Sequence, residues 1–199
     1  RWSPDGQRIV FTDKANRLMS VDPTSGATMQ LDRGTEGGIN SWSFSADGSW
    51  LTYAKTSENT FSSIWICPAG EASPVQVTTD HYRDGSPAFD ADGNYLFFTS
   101  ARDYQHDGFE FEERLYALLL HADAPHPLAP ESDEEVGGKS DAEPDADSEE
   151  GDDGGDDGGD AAVALRVDLD GLSDRLVVLP GSPGSYGGLA GVKGGLLYQ

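Results

Sequence analysis

The side chains able to do chemistry in this 199-residue chain are few and scattered. There are four histidines, His81, His106, His121 and His126, and one cysteine, Cys67. A side-chain nucleophile needs a base within hydrogen-bond reach, and a bound zinc ion needs three or four such ligands. The histidines fall in loops or at strand ends. His121 and His126 stand five apart, but Pro125 and Pro127 favour an extended connection there, a poor match to a metal-binding pair. Cys67 closes the strand-like run Ser63-Ile64-Trp65-Ile66-Cys67 and reads as a small buried hydrophobe. A lone cysteine also excludes an intramolecular disulfide framework and any Cys-cluster zinc site.

Three motif fragments fail on spacing. Gly138-Lys139-Ser140 ends like a phosphate-binding loop, but Asp133 stands where that motif needs glycine, and its acidic neighbours repel phosphate. Asp90-Ala91-Asp92-Gly93 begins like a calcium loop, yet the glycine arrives two positions early and no closing Glu follows in place. Gly184-Ser185-Tyr186-Gly187 is one residue short of a nucleophile elbow. No catalytic, cofactor-binding or metal-ligating residue is therefore assigned, and no cofactor is expected.

Charge narrows the partners. The formal net charge is −23, from 36 Asp+Glu against 13 Lys+Arg. Residues 131–160 hold 15 of the acids and one lysine, Lys139, so most of the excess lies in one stretch. With no basic stripe to displace counterions, nucleic acid is excluded as a partner. No apolar run approaches the roughly 20 residues of a membrane helix. The acidic stretch has no aromatic residue and a single Val136, too little apolar area to offset ordering entropy, so a disordered surface loop is expected there. A cation sponge or an electrostatic arm is the functional alternative.

What must position any site is a set of repeats. Trp2-Ser3-Pro4-Asp5-Gly6 recurs as Phe44-Ser45-Ala46-Asp47-Gly48 and as Phe89-Asp90-Ala91-Asp92-Gly93. Four and six positions after each Asp stand Ile9 and Phe11, Leu51 and Tyr53, then Leu96 and Phe98, a period-two apolar pattern. The Asp-Gly pair is expected to form a two-residue primed turn joining two antiparallel strands. Third strands follow at Arg17 to Val21, Ser63 to Cys67 and Arg114 to Leu120, and short fourth strands at Thr28 to Leu31 and Val75 to Thr78. Four antiparallel strands in each repeat of about 40 to 45 residues describe a propeller blade, in an all-β fold almost without helix.

The third repeat leaves a choice open. Residues 163–171 look as strand-like as residues 114–120, and they also lead through a turn to Arg175-Leu176-Val177-Val178-Leu179, a good fourth strand. One of the two is supernumerary, or the acidic stretch interrupts a strand. Residues 103–113 form an insertion between the second and third strands, with a helical turn or a projecting loop expected. Lys193-Gly194 marks the turn of a further blade. Residues 1–130 then hold about three blades, 131–160 the inserted acidic loop, and 161–199 the end of the third blade and the start of the next. Arg1 is no start methionine, Trp2 already belongs to a repeat, and Gln199 follows an apolar run, so the chain reads as a piece of a longer protein. Four repeats are too few to close a ring, and an open fan with unpaired, aggregation-prone edges is expected.

The repeats resemble those of TolB, of prolyl-oligopeptidase-type peptidases and of the tricorn protease. The third repeat, from Ser86-Pro87-Ala88-Phe89 through Phe97-Phe98-Thr99-Ser100-Ala101-Arg102-Asp103-Tyr104, is similar to bacterial tricorn-protease homologues. So are Val167-Asp168-Leu169-Asp170-Gly171-Leu172 with Arg175, and Tyr186-Gly187-Gly188-Leu189. The resemblance implies a large cytosolic serine peptidase that trims peptides and assembles as an oligomer around a chamber. It implies two propellers ahead of a PDZ-like and a catalytic domain, with this stretch in the second propeller and no catalytic position within it. A propeller leaves an axial channel, lined here by the strands around Trp2, Phe44 and Phe89, which suits a conduit that admits extended peptides and excludes folded proteins. The alternatives are a periplasmic, non-enzymatic TolB-like propeller for protein partners, or the propeller of a prolyl-oligopeptidase-type peptidase.

Overall fold

The computed structural model describes residues 1–35, 37–102, 112–129 and 164–199. The expected acidic loop at 131–160 and most of the insertion at 103–113 lie outside these residues. The first sheet holds β1 (Ile9–Thr12), β2 (Arg17–Val21) and β3 (Thr28–Arg33), with Trp2 joined to Ile9 by an isolated antiparallel bridge on its inner side. The second holds β4 (Ile39–Phe44), β5 (Trp50–Thr56), β6 (Ser62–Pro68) and β7 (Val75–Gln76). The third holds β8 (Asp84–Phe89), β9 (Tyr95–Ser100), β10 (Arg114–Leu119) and β11 (Leu176–Val178), and β12 (Ala190–Val192) with β13 (Gly195–Leu197) begins a fourth. Strand order follows the sequence in every sheet, and each pairing is antiparallel. These are propeller blades, and among the described residues they close no ring.

Alternation along the strands gives a blade two apolar faces, and the second blade packs one on each of its neighbours. Val10, Leu18 and Leu31 of the first blade meet Leu51, Tyr53 and Cys67 of the second. Ala54, Ile64 and Ile66, on the opposite face of the second blade, meet Leu96, Phe98, Tyr116 and Leu118 of the third. The repeat positions four and six after each turn Asp therefore face the preceding blade. Leu51, Tyr53, Leu96 and Phe98 are all 0% exposed, whereas the equivalent Phe11, with no described blade before it, is 39% exposed.

The hairpin turns differ from the expected primed type. Only the glycines take left-handed φ, at 69° for Gly6, 73° for Gly48 and 77° for Gly93. The amide of Ser3 donates to the Arg8 carbonyl at 2.9 Å, so the loop runs from Pro4 to Gln7 and is longer than two residues. The reason is side-chain competition for the backbone. Ser3 Oγ donates to Asp5 Oδ1 at 2.5 Å and accepts the Arg8 amide at 2.9 Å; Ser45 repeats this with Asp47 at 2.5 Å and the Trp50 amide at 2.9 Å. In the third blade Asp90 takes the serine's place and accepts the Tyr95 amide at 2.9 Å. Lys193-Gly194 does lie at the turn of the fourth hairpin, a shorter one in which Val192 pairs directly with Gly195.

The open choice in the third blade resolves by pairing. Residues 114–119 form the third strand and 176–178 the fourth, while Ala164–Leu169 is irregular chain whose Leu165 and Val167 pack on the core between the second and third blades. The base of this excursion is closed locally: the Asp168 amide donates to the Leu120 carbonyl at 2.8 Å, and the Ala122 amide to Asp168 Oδ2 at 3.2 Å. The Arg175 guanidinium donates to the carbonyls of Leu119 at 3.0 Å, Asp170 at 2.8 Å, and Asp168.

Because blades are held by each other's faces, equivalent substitutions should differ sharply. Phe98→Ala is expected to cost about 3–5 kcal/mol in urea unfolding, by loss of buried area and a residual cavity. Phe11→Ala, at the same repeat position on an open face, is expected to cost less than about 1 kcal/mol.

Candidate functional site

The first strands of successive blades gather on one wall. β4 and β8 each carry a bulge at the same register. In β4, Asn40 pairs with Ala54 and Ser43 with Thr52, leaving Ser41 and Trp42 opposite Tyr53; in β8, Gly85 pairs with Thr99 and Ala88 with Phe97, leaving Ser86 and Pro87 opposite Phe98. Ser41 has φ 53° and Ser86 φ 50°, left-handed values that a non-glycine residue holds only at a cost of order 1–2 kcal/mol. Pro87 is tolerated because a bulge in an inner strand asks no amide of it. Each bulge re-aims the strand just where an aromatic side chain on β5 or β9 plugs the blade core.

These bulges, with the inner stretches of the first and fourth blades, bound a cavity of about 170 Å³ lined by Arg1, Ser41, Trp42, Ser43, Ser86, Pro87, Gly188 and Leu189. The lining carries one charged side chain, Arg1, whose Nη1 donates to the Trp42 carbonyl at 3.0 Å; beside Trp42 and Leu189 the other residues are small. The same lining holds three serines and no group that could act as their base. The expected lining strands ran around Trp2, Phe44 and Phe89; β4 and β8 do line the cavity, and they meet it at their bulges, three residues before Phe44 and Phe89.

Elsewhere the charged groups hold structure. Lys55 donates to both oxygens of Asp32 at 3.0 Å and lies 4.4 Å over the Trp65 ring, while Tyr53 donates its hydroxyl to Asp32 at 2.7 Å. Burial and the Asp32 carboxylate push the Tyr53 phenol upward. Arg102 pairs with the fully buried Asp84 at 3.0 Å and stacks over Tyr116, Tyr82 and Phe98 at 4.8, 5.2 and 5.4 Å. Sequence reasoning passed over both groups. The second was visible only as an Arg placed two residues after Ser100, which accepts from its Nε at 2.8 Å.

The candidates singled out in the sequence are not brought together. His81 is exposed against Tyr82, His121 Nε2 lies 3.2 Å from Asn94 Oδ1, and His126 is exposed, its Nδ1 accepting the Leu128 amide at 3.2 Å. His106 and Gly138-Lys139-Ser140 lie outside the described residues. Ser185 is exposed in irregular chain. Asp90 serves the hairpin, and Asp92 Oδ2 accepts the Gly194 amide of the next blade at 3.0 Å. Cys67 is buried, and burial pushes its thiol up to about 11. Among the described residues no group of three or more His, Cys, Asp or Glu side chains could hold a metal ion, and no helix is long and apolar enough to cross a membrane.

Antiparallel blades stacked face to face, with their first strands on a common wall, define a β-propeller. The whole of residues 1–199 matches the family described as tricorn protease second beta propeller domain, and the chain belongs to that family. It is 30% identical over 204 residues to tricorn protease homolog 1 of Streptomyces coelicolor, a match covering 98% of this chain and 18% of that protein. It is also 30% identical over 181 residues to putative tricorn protease homolog 2 of the same organism, covering 83% of this chain and 14% of the relative. The crystal structure of the tricorn protease shares the fold, with a TM-score of 0.71 at 20% identity over 96% of this chain and 18% of that one. The chain thus spans less than a fifth of the length of these relatives.

Two outcomes test the electrostatic reading. Burial raises the Asp90 carboxyl above its ordinary 3.8, so its contribution to stability is greatest below that value and is lost as pH rises through the folded-state value. Asp90→Asn is therefore expected to raise the melting temperature at pH 7, with the gain fading as pH falls toward 3.8. Cys67 is expected to be silent toward a thiol reagent at pH 8 in the native protein and to react on unfolding.

Proposed function

We propose that this chain is propeller wall in a tricorn-like peptidase, and that its inner-strand surface forms part of a conduit that passes extended peptides and turns back folded proteins. The observation that carries this reading is the cavity bounded by inner residues of all four blades, small and nearly uncharged, with its backbone re-aimed by two bulges in register. A wall of this kind discriminates by girth more than by side-chain chemistry. The naming of its relatives as tricorn proteases supports a peptide-cleaving parent, and the whole-chain family match favours that parent over a TolB-like binding propeller or a prolyl-oligopeptidase-type one. In this reading serine chemistry resides in parts of the parent beyond these residues, peptides are the substrates, the parent assembles as an oligomer, and the setting is the cytoplasm.

The test uses the intact parent protein. Ser41→Trp and Ser86→Trp, which narrow the wall without touching any catalytic group, are expected to slow cleavage of long peptides several-fold and to leave cleavage of a short chromogenic substrate unchanged. Equal slowing of both, or of neither, would overturn the conduit. The 199-residue chain by itself is expected to show no cleavage sensitive to serine-directed reagents.

A further inference from the structure

The three seams between blades are not closed alike at the turn end. Between the first and second blades, Asp5 lies directly against the next turn: a Cβ placed on Gly48 would meet Asp5 Cγ at 3.3 Å. Between the third and fourth, Asp92 Oδ2 accepts the Gly194 amide at 3.0 Å. Between the second and third, the equivalent Gly93 is met by Leu165 Cδ1, 3.1 Å from where a Cβ would stand. Asp47 there accepts the Leu165 amide at 2.8 Å, across 118 residues of sequence.

The segment that fills this seam has the pattern of a bound peptide. Leu165 and Val167 pack on the core cluster that also holds Trp50 and Val75 of the second blade and Leu176 of the third, while Arg166 between them stays exposed, pairing with Asp168 at 2.9 Å and Asp123 at 3.1 Å. It makes no strand pairing of its own. At one end it is hinged by the bonds of Asp168 to Leu120, Ala122 and Arg175, and at the other it is latched, among the described residues, by the Leu165 amide on Asp47. The Asp47 carboxylate is already held by Ser45 Oγ at 2.5 Å and by Ser49 through its amide at 3.1 Å and its hydroxyl at 2.6 Å, so it stays in position whether or not the latch is made. The glycine at 93 leaves the notch that Leu165 enters.

We propose that the seam between the second and third blades is a docking groove for a short peptide of alternating apolar residues with a free main-chain amide, held closed in cis by the strap Ala164–Val167. The recognition elements are the Asp47 carboxylate, the Gly93 notch and the apolar floor between the blades. This inference stands apart from the axial conduit, which uses the inner strands. Lifting the strap leaves all strand pairings of both blades intact.

The experiment is binding of a fluorescent peptide with the sequence of residues 164–169 to the full chain and to its Leu165→Ser, Val167→Ser variant, followed by anisotropy. A closed strap lowers the apparent affinity by the fraction of chains in which it is lifted, so the variant is expected to bind at least about 10-fold more tightly than wild type. Adding Asp47→Ala is expected to weaken that binding about 10-fold, the loss of one hydrogen bond to a charged acceptor. A peptide with Ser at both apolar positions is expected not to bind. Equal binding to wild type and variant, or binding to neither, would overturn the groove. Amide exchange on the wild-type chain gives a reading that does not depend on the variant folding. The Leu165 amide is expected to exchange at least about 10-fold faster than those of Leu51 and Phe98, by local opening. Exchange at their rate would mark the strap as an inseparable part of the core and overturn the proposal.

Discussion

The fold depends on one constraint: a blade with apolar side chains on both faces is stabilised by the neighbours that cover those faces. In a half-buried sheet, alternation separates a wet side from a dry one. Here it separates two dry sides, with Leu51, Tyr53 and Cys67 turned one way and Ala54, Ile64 and Ile66 the other. Hydrophobic burial thus runs between sheets, and the sheet hydrogen bonds mainly keep that alternation in register. The innermost strands are pulled onto a common wall as a by-product, because each must sit beside its counterpart in the next blade for the faces to meet.

The turn chemistry serves the same end. A serine or aspartate two residues before the turn carboxylate fixes the loop, as Ser3, Ser45 and Asp90 each do. Where serine holds the turn it also occupies the carboxylate, through the Ser3–Asp5 and Ser45–Asp47 bonds. Where Asp90 replaces it, Asp92 accepts the next blade's Gly194 amide, as Asp47, though held by Ser45, accepts that of Leu165. The buried Asp90 carboxyl costs stability at neutral pH, and an inter-blade hydrogen bond is formed at the same turn.

What could be read from the sequence was whatever is written locally. The Asp-Gly markers and the apolar pairs Leu51/Tyr53 and Leu96/Phe98 lie within a few residues of each other, so strands, blade order and class followed from them. The turn type did not, because it is decided by a serine hydroxyl competing for backbone and carboxylate together. Nor could residues 114–119 be separated from 163–171: the first is a continuous apolar run after Arg114 and the second alternates, both patterns that strands show, and only pairing with β9 and β11 distinguishes strand from strap. The wall at Ser41 and Ser86 was hidden for a different reason. Left-handed φ is announced by glycine or asparagine, and serine in that conformation carries no local mark.

The closed base of the excursion in the third blade has an evolutionary consequence. Since Asp168, Leu120, Ala122 and Arg175 bring its two ends together by their own bonds, the blade is indifferent to how much chain is spliced between them. Closure entropy rises only with the logarithm of length, about 0.6 kcal/mol for each doubling. That corner of the propeller is therefore a port at which sequence can be gained, lost or recharged across generations, while selection on the barrel of blades beneath it goes on undisturbed.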